Sequence, residues 1–205
     1  MEDAFVWLDW ARELQSLAQA GLAYSKDVYD LERFTRIREI SAEIMSRQTE
    51  LPLEKIRGLF CNETGYQTPK IDTRAAIIRG DTILLVQERD GTWALPGGWC
   101  DADQTIAANT VKETREEAGL DVRPVRLIAL HGAHRNHAVC PYGICKAFVL
   151  CEELGGAFEP NTETIASGYF SLDNLPPLAT QKNTPEQIAL CFEAARAENW
   201  ETQFD

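Results

Sequence analysis

The stretch Leu95-Pro-Gly-Gly-Trp-Cys-Asp-Ala-Asp-Gln-Thr-Ile-Ala-Ala-Asn-Thr-Val-Lys-Glu-Thr-Arg-Glu-Glu-Ala-Gly-Leu120 governs how the rest of the chain is read. It opens as a glycine-rich loop and passes into a helix over residues 105–118, which Gly119 stops. Glu113, Glu116 and Glu117 are related by steps of three and four, so they share one helical face. At an effective dielectric near 20, two like charges about 4 Å apart cost on the order of 4 kcal/mol. A helix carries such a face if the carboxylates splay into water, meet cations or bind a metal.

For an arbitrary helix the solvated face is the simpler reading, with Lys112 and Arg115 as partners. Two features oppose it here. Gly97-Gly98 puts bare backbone just upstream, where a carbonyl can ligate a cation and a phosphate can approach closely. The helix also ends directly after Glu117, so the carboxylates sit where the helix dipole disfavours negative charge. Hard oxygens grouped in this way suit Mg²⁺, with Mn²⁺ as a substitute. The candidate metal ligands are Glu113, Glu116 and Glu117, with the backbone carbonyl near Gly97.

Outward from this stretch, residues 73–78 and 82–86 are β-branched runs joined by Arg79-Gly80-Asp81, a hairpin signal, and Asp90-Gly91 marks a further turn. Strands are expected over 125–130, 144–152 and around 166–170, with Gly155-Gly156 joining two of these pieces. Pro176-Pro177 breaks the chain and Pro185 opens a last helix carrying Ile188, Leu190, Cys191, Phe192 and Ala195. Strands interleaved with one central helix and closed by another predict an α/β fold, a mixed sheet with helices against it.

Residues 1–66 read as helical. Trp7, Trp10, Leu14 and Leu17 form a stripe on a helix ending near Gly21. Leu31, Phe34, Ile37, Ile40 and Ile44 form a second, entered through Ser25 or Asp27, and Pro52 opens a third helix with Leu53, Ile56 and Phe60. A linker is expected over 62–70, which divides the chain into a helical domain, 1–66, and an α/β domain, 67–205. A bundle this small buries little surface, so its stripes are expected against the second domain or another copy of the chain.

Composition sets further bounds. The chain has 205 residues, 44% hydrophobic and 25% charged, with a formal net charge of −12. That balance argues against DNA or another polyanion, whose binding rests on Lys and Arg. An anionic substrate would therefore need a divalent cation. The acidic N-terminus, Met1-Glu2-Asp3, is unlike a secretory leader, and the apolar runs are too short to span a bilayer, so a cytoplasmic protein without membrane contact is expected. The six cysteines then read as reduced. His131, His134, His137 and Cys140 recur every third residue, and a zinc site is the sharp reading of that run. In extended chain, residues three apart point to opposite faces, which favours loop histidines beside a substrate instead.

The stretch from Gly98 to Leu120 resembles the signature of the Nudix hydrolases: Gly, five residues, Glu, seven residues, Arg-Glu, an aliphatic residue, any residue, Glu-Glu, any residue, Gly, an aliphatic residue. Gly98, Glu113, Glu116, Glu117, Gly119 and Leu120 fall in register. Gln104 stands in place of the first Glu, Lys112 in place of Arg and Thr114 in place of the aliphatic residue. Lys112 keeps the charge without the bidentate fork. The runs Trp7-Leu-Asp-Trp10, Gly21 to Arg33, Asp72-Thr-Arg74, Trp93 to Trp99 and Asn161-Thr-Glu163 are similar to one bacterial subfamily with a helical extension, in which the first box glutamate is commonly absent as well. That subfamily resembles CDP-choline pyrophosphatases, often labelled ADP-ribose pyrophosphatases, and forms dimers.

The resemblance implies a Nudix-like α/β/α sandwich, Mg²⁺-dependent attack of water on a diphosphate, a small nucleoside-diphosphate substrate and a homodimer built through the N-terminal helices. Glu116 and Glu163 are the candidates to orient or deprotonate the water. Arg74 and Arg89 are candidate phosphate or ribose contacts, His134, Asn136 and His137 candidate pocket residues, and Trp99 or Tyr142 a candidate stacking partner for a base. Two other functions compete: a nucleotide sensor without hydrolysis, and a hydrolase of RNA ends.

Overall fold

The computed structural model describes residues 6–132 and 143–205. They fall into two compact units, one of residues 6–69 with Gly143 and the other of residues 70–132 and 144–205.

The first unit holds helices α1 (Val6–Tyr24), α2 (Val28–Thr49) and α3 (Leu53–Phe60). Asp27 starts α2, its carboxylate accepting the amides of Tyr29 and Asp30 at 3.0 Å each. Leu8, Ala11, Ala42, Met45, Ile56 and Phe60 make its core. α1 runs past the expected stop at Gly21. That glycine serves packing, since a Cβ there would lie 2.3 Å from the Phe34 ring. The stripe was expected against the second domain or another copy of the chain; within the unit α1 buries the face beside it, and Trp7 of the stripe packs on the core. Ala11, Gln15, Ala18 and Gln19 turn inward, and Ser41 of α2 donates to the Ala11 carbonyl at 2.8 Å. Small inward residues let the two helices approach closely, which leaves Trp10 60% and Leu17 56% exposed.

The second unit holds β1 (Lys70–Arg79), β2 (Thr82–Glu88), β3 (Trp93–Ala94), α4 (Ile106–Ala118), β4 (Leu120–His131), β5 (Ile144–Gly156), β6 (Thr164–Ser171), α5 (Pro185–Arg196) and β7 (Gln203–Phe204). The strand order is β3-β2-β1-β5-β4-β7, with β6 on β2. β1 runs parallel to β5 from Lys70↔Ile144 to Ile77↔Cys151, and β4 lies antiparallel on the far side of β5. β2 meets β1 only beside the hairpin, at Ile78↔Ile83 and Arg79↔Thr82, and pairs with β6 along its length. The sheet is therefore mixed, as expected.

Alternation along the strands fills two cores. Ala75, Ile77, Leu84, Val86, Val149 and Cys151 pack with Ile106, Val111 and Ala118 of α4. Ala76, Ile83, Leu85, Phe148 and Ile128 pack with Ile188, Cys191 and Phe192 of α5. One helix on each face gives the α/β/α sandwich. Both helices begin at side-chain caps: Thr105 accepts the Ala108 amide at 3.1 Å, and Thr184 forms a capping box with Gln187.

Strands β4 and β5 are longer than their β-branched centres suggest, and the two-residue strands β3 and β7 carry too little periodicity to be read. Gly155 and Gly156 do not connect two elements; they are the end of β5, paired with Asp121 and Leu120. The reason lies at the end of α4. Gly119 takes φ +68°, and a Cβ there would lie 2.2 Å from the Ala157 carbonyl oxygen; a Cβ on Gly156 would lie 2.3 Å from that of Gly119. Two bare residues let the helix turn straight into β4 beneath the end of β5.

Gly119→Ala should cost more than Gly80→Ala, although both glycines have positive φ, because nothing lies within 4 Å of a Cβ at Gly80. The expected losses are about 1 kcal/mol at Gly80 and roughly 2–3 kcal/mol at Gly119. Urea midpoints of the two variants test the difference.

Candidate active site

The site starts with backbone. The loop from Pro96 to Cys100 lies along β1: Ala75 donates to the Pro96 carbonyl at 2.8 Å, Thr73 to that of Gly98 at 2.9 Å, and Cys100 to that of Ile71 at 2.8 Å. Gly97 sits between these bonds at φ +145°, and a Cβ there would lie 1.9 Å from the Thr73 carbonyl oxygen. Its amide donates at 2.8 Å to Oε2 of Glu117. A Cβ on Gly98 would come within 2.6 Å of Oε2 of Glu113. The two glycines thus let the loop and two carboxylates of α4 share one small space. Asn109, fully buried one turn into α4, donates to the Thr73 hydroxyl at 2.8 Å and fixes the helix against β1.

The three glutamates differ in environment. Glu117 is 6% exposed, and burial pushes its carboxyl up to about 7, against the opposing pull of the Gly97 amide, Arg74 and Lys182. Glu113 is also raised by burial, with the Lys112 hydrogen bond opposing. Glu116 is open to solvent. Lys112 extends among the carboxylates, its Nζ 2.9 Å from Asp101, 3.4 Å from Glu113 and 3.7 Å from Glu116. Its ammonium is held above the ordinary lysine range, chiefly by the hydrogen bond to Asp101.

A fourth carboxylate arrives on the loop before β6. Asn161 accepts the amides of Glu163 and Thr164 at 2.9 Å each, and its side-chain amide donates to the Glu116 carbonyl at 2.9 Å. Thr164 donates to the Glu117 carbonyl at 2.6 Å. This loop therefore caps α4 at the turn bearing the glutamates and leaves Glu163 exposed, where its charge helps raise Glu113. Arg89 fastens the same loop from the turn after β2, donating to the carbonyls of Thr162 at 2.6 Å and Asn161 at 3.3 Å.

Other expected residues are placed differently. Arg74, read as a phosphate or ribose contact, is 4% exposed and spent on internal partners: Asp72 at 3.0 and 2.7 Å and the Leu95 carbonyl at 3.2 Å. Trp99 is half-exposed at the edge of the loop. His134, Asn136, His137, Cys140 and Tyr142 lie outside the described residues. His131 is buried on β4, edge-on to Phe148 and 3.4 Å from the Gln187 side chain. Among the described residues, no three acidic, His or Cys side chains already converge as a metal cage.

Sequence reasoning missed Asp101, the Glu88–Lys182 ion pair that borders Arg74 and Glu117, and the capping by Asn161. Only the last had a readable signal, an Asn two residues before a loop carboxylate, which suits an Asx-turn.

The NUDIX domain matches residues 69–191. The chain belongs to the Nudix hydrolases, enzymes that act on acid anhydrides. Residues 6–60 match the UDP-X-like N-terminal oligomerisation domain of that family. The chain is 43% identical over 201 residues to the putative ADP-ribose pyrophosphatase YjhB of Bacillus subtilis, covering 97% of each. A solved ADP-ribose pyrophosphatase from Streptococcus suis is 61% identical with a TM-score of 0.63, over 67% of this chain and 100% of that one. A solved UDP-X diphosphatase is 27% identical with a TM-score of 0.64, over 96% and 97% of the two chains. Among the described residues no helix is long and apolar enough to cross a membrane.

Because Arg74 and Asp72 are buried together, Arg74→Met should strand a carboxylate and destabilise the protein by about 3–5 kcal/mol. Adding Asp72→Asn should recover part of that loss. Denaturant unfolding of the single and double variants checks both.

Proposed function

We propose that this chain is a metal-dependent pyrophosphohydrolase for a small nucleoside-diphosphate conjugate of the ADP-ribose or CDP-choline class. The products are a nucleoside monophosphate and a phosphorylated second moiety. The observation that carries the reading is the single helical face of Glu113, Glu116 and Glu117 against the bare backbone of Gly97 and Gly98. The ADP-ribose class draws support from the Bacillus subtilis and Streptococcus suis relatives, a putative and a solved ADP-ribose pyrophosphatase.

The donor set fits a hard divalent cation: carboxylate oxygens, one of them on a desolvated group, next to a loop with no side chain in the way. Mg²⁺, or Mn²⁺ in its place, held by Glu113, Glu116, Glu117 and the carbonyl of Gly97, would neutralise charge building on the diphosphate oxygens. The protein's own groups do the rest. Glu116 and Glu163 are the exposed carboxylates able to accept the proton of the attacking water. As the water oxygen bonds to phosphorus, the bridging P–O bond breaks and its electron pair leaves with the departing phosphate. Trp99 offers a half-exposed ring for stacking on a base, and His134, Asn136 and His137 are assigned to the substrate pocket. Arg74 and Arg89 take positioning parts, the first behind Glu117 and the second through the loop that carries Glu163.

Glu116→Gln or Glu117→Gln should leave the fold intact and lower turnover roughly a thousandfold, as loss of several kcal/mol of charge stabilisation requires. Near-normal turnover in both variants would sink the assignment. The substrate class is decided by assaying CDP-choline, ADP-ribose, a dinucleoside polyphosphate and a 5′-capped RNA, each with and without Mg²⁺. The RNA arm is included because the chain is 26% identical over 147 residues to the NAD-capped RNA hydrolase NudC of Stutzerimonas stutzeri, spanning 51% of that protein. The net charge of −12 disfavours that substrate. Nucleotide binding without cleavage of any member of the panel would instead favour a sensor.

The homodimer is proposed to form through the outward face of α1. Trp10, Leu17 and Tyr24 recur every seven residues along it and are all exposed in the single chain. Light scattering at micromolar concentration should give a dimer, and Trp10→Glu with Leu17→Glu should give a monomer with its helices intact by circular dichroism.

A further inference from the structure

We propose that the Lys112 ammonium is a tethered counter-ion for the glutamate site, and that Asp101 receives it when a divalent cation enters. This rests on the metal site proposed above. Among the described residues Lys112 is the cation nearest two of the three proposed ligands, with Nζ 3.4 Å from Glu113 and 3.7 Å from Glu116. A divalent ion on those carboxylates and an ammonium at that distance repel each other, so both cannot keep their places at full strength. The shortest of the three ammonium contacts is to Asp101, at 2.9 Å, and Asp101 stands outside the glutamate face, on the loop before α4. A flexible four-carbon stem with a point charge can stay on Asp101 while releasing the glutamates; a planar guanidinium forked onto a carboxylate could not do so as freely.

The arrangement answers two problems with one side chain. Without a metal, Lys112 relieves repulsion between Glu113 and Glu116 at the last turns of α4, where the helix dipole adds to the strain. With a metal, the lysine is held aside by a carboxylate that is not itself a ligand. Asp101 is thus a positioning residue that acts through Lys112, and metal affinity depends on how the ammonium is shared between Asp101 and the glutamates.

The test is a double-mutant cycle on Mn²⁺ binding, followed by electron paramagnetic resonance of the free ion, with melting temperatures in chelator to confirm folding. Lys112→Gln should tighten Mn²⁺ binding about three- to fivefold, and Asp101→Asn should weaken it by a similar factor, the size expected for exposed charge pairs. A plain field effect would give the same two signs, so the decisive variant is Asp101→Asn in the Lys112→Gln background. There the Asp101 effect should vanish, because its intermediary is gone. Equal Asp101 effects in both backgrounds, or unchanged Mn²⁺ affinity in the single variants, would overturn the inference while leaving the metal site standing. No saturable Mn²⁺ binding by the unaltered protein would remove the metal site and the inference together.

Discussion

The near contact between Gly97 and the Thr73 carbonyl is the constraint on which the rest of the site depends. With 1.9 Å between that oxygen and any Cβ at position 97, only glycine lets the loop lie flat on β1. Once it does, the Pro96 and Gly98 carbonyls are taken by β1 amides, and the Gly97 amide is left facing the opposite way, where Glu117 meets it. A backbone donor inside a poorly hydrated space then holds a carboxylate that burial alone would expel or neutralise. The same near contact brings Gly98 against Glu113. The distance between two stretches of main chain thus decides which helix residues can serve as a site.

How well the sequence disclosed this varies with the physics involved. The glutamate face, the helix from its Thr105 cap to Gly119 and the hairpin at Gly80 rest on local spacing and turn chemistry, and each was legible. The two faces of the sheet follow from alternation in β1, β2 and β5. What escaped were relations made across long sequence separations. Arg74 looks like a free cation until the Leu95 carbonyl, 21 positions on, closes over it; Asp72, two residues earlier on the same face of β1, was a partner that the strand's period offered and that was not drawn. Asp101 and Lys182 owe their importance to partners 11 and 94 positions away, Lys112 and Glu88. No periodicity encodes such pairs.

The helical unit differs in another way. The apolar stripe of α1 was found and expected against the second domain or another copy of the chain, while the face that α1 packs on α2 was not read. Along the α1–α2 contact the small residues Ala11, Ala18, Ala42 and Ser41 are buried, and Gln15 donates to Gln19 at 3.3 Å. Leu8 and Met45 join the same core, while Trp10 and Leu17 on the other side of α1 stay exposed. Binary patterning names the apolar positions without saying which of them a single chain will cover.

The loop that carries Glu163 is tied down at Asn161 and Thr164, on the carbonyls of Glu116 and Glu117, while residues 158–160 between β5 and that tie are largely solvent-facing. Position along the chain and position in space are therefore uncoupled at this point. Extra residues inserted over 158–160 would bulge into water without shifting the carboxylate. One residue added within 161–164 would break the clasp and swing the acid away from the helix. For anyone grafting a tag, a reporter or a longer specificity loop onto this scaffold, that boundary separates the part of the loop that can be rebuilt from the part that must be kept.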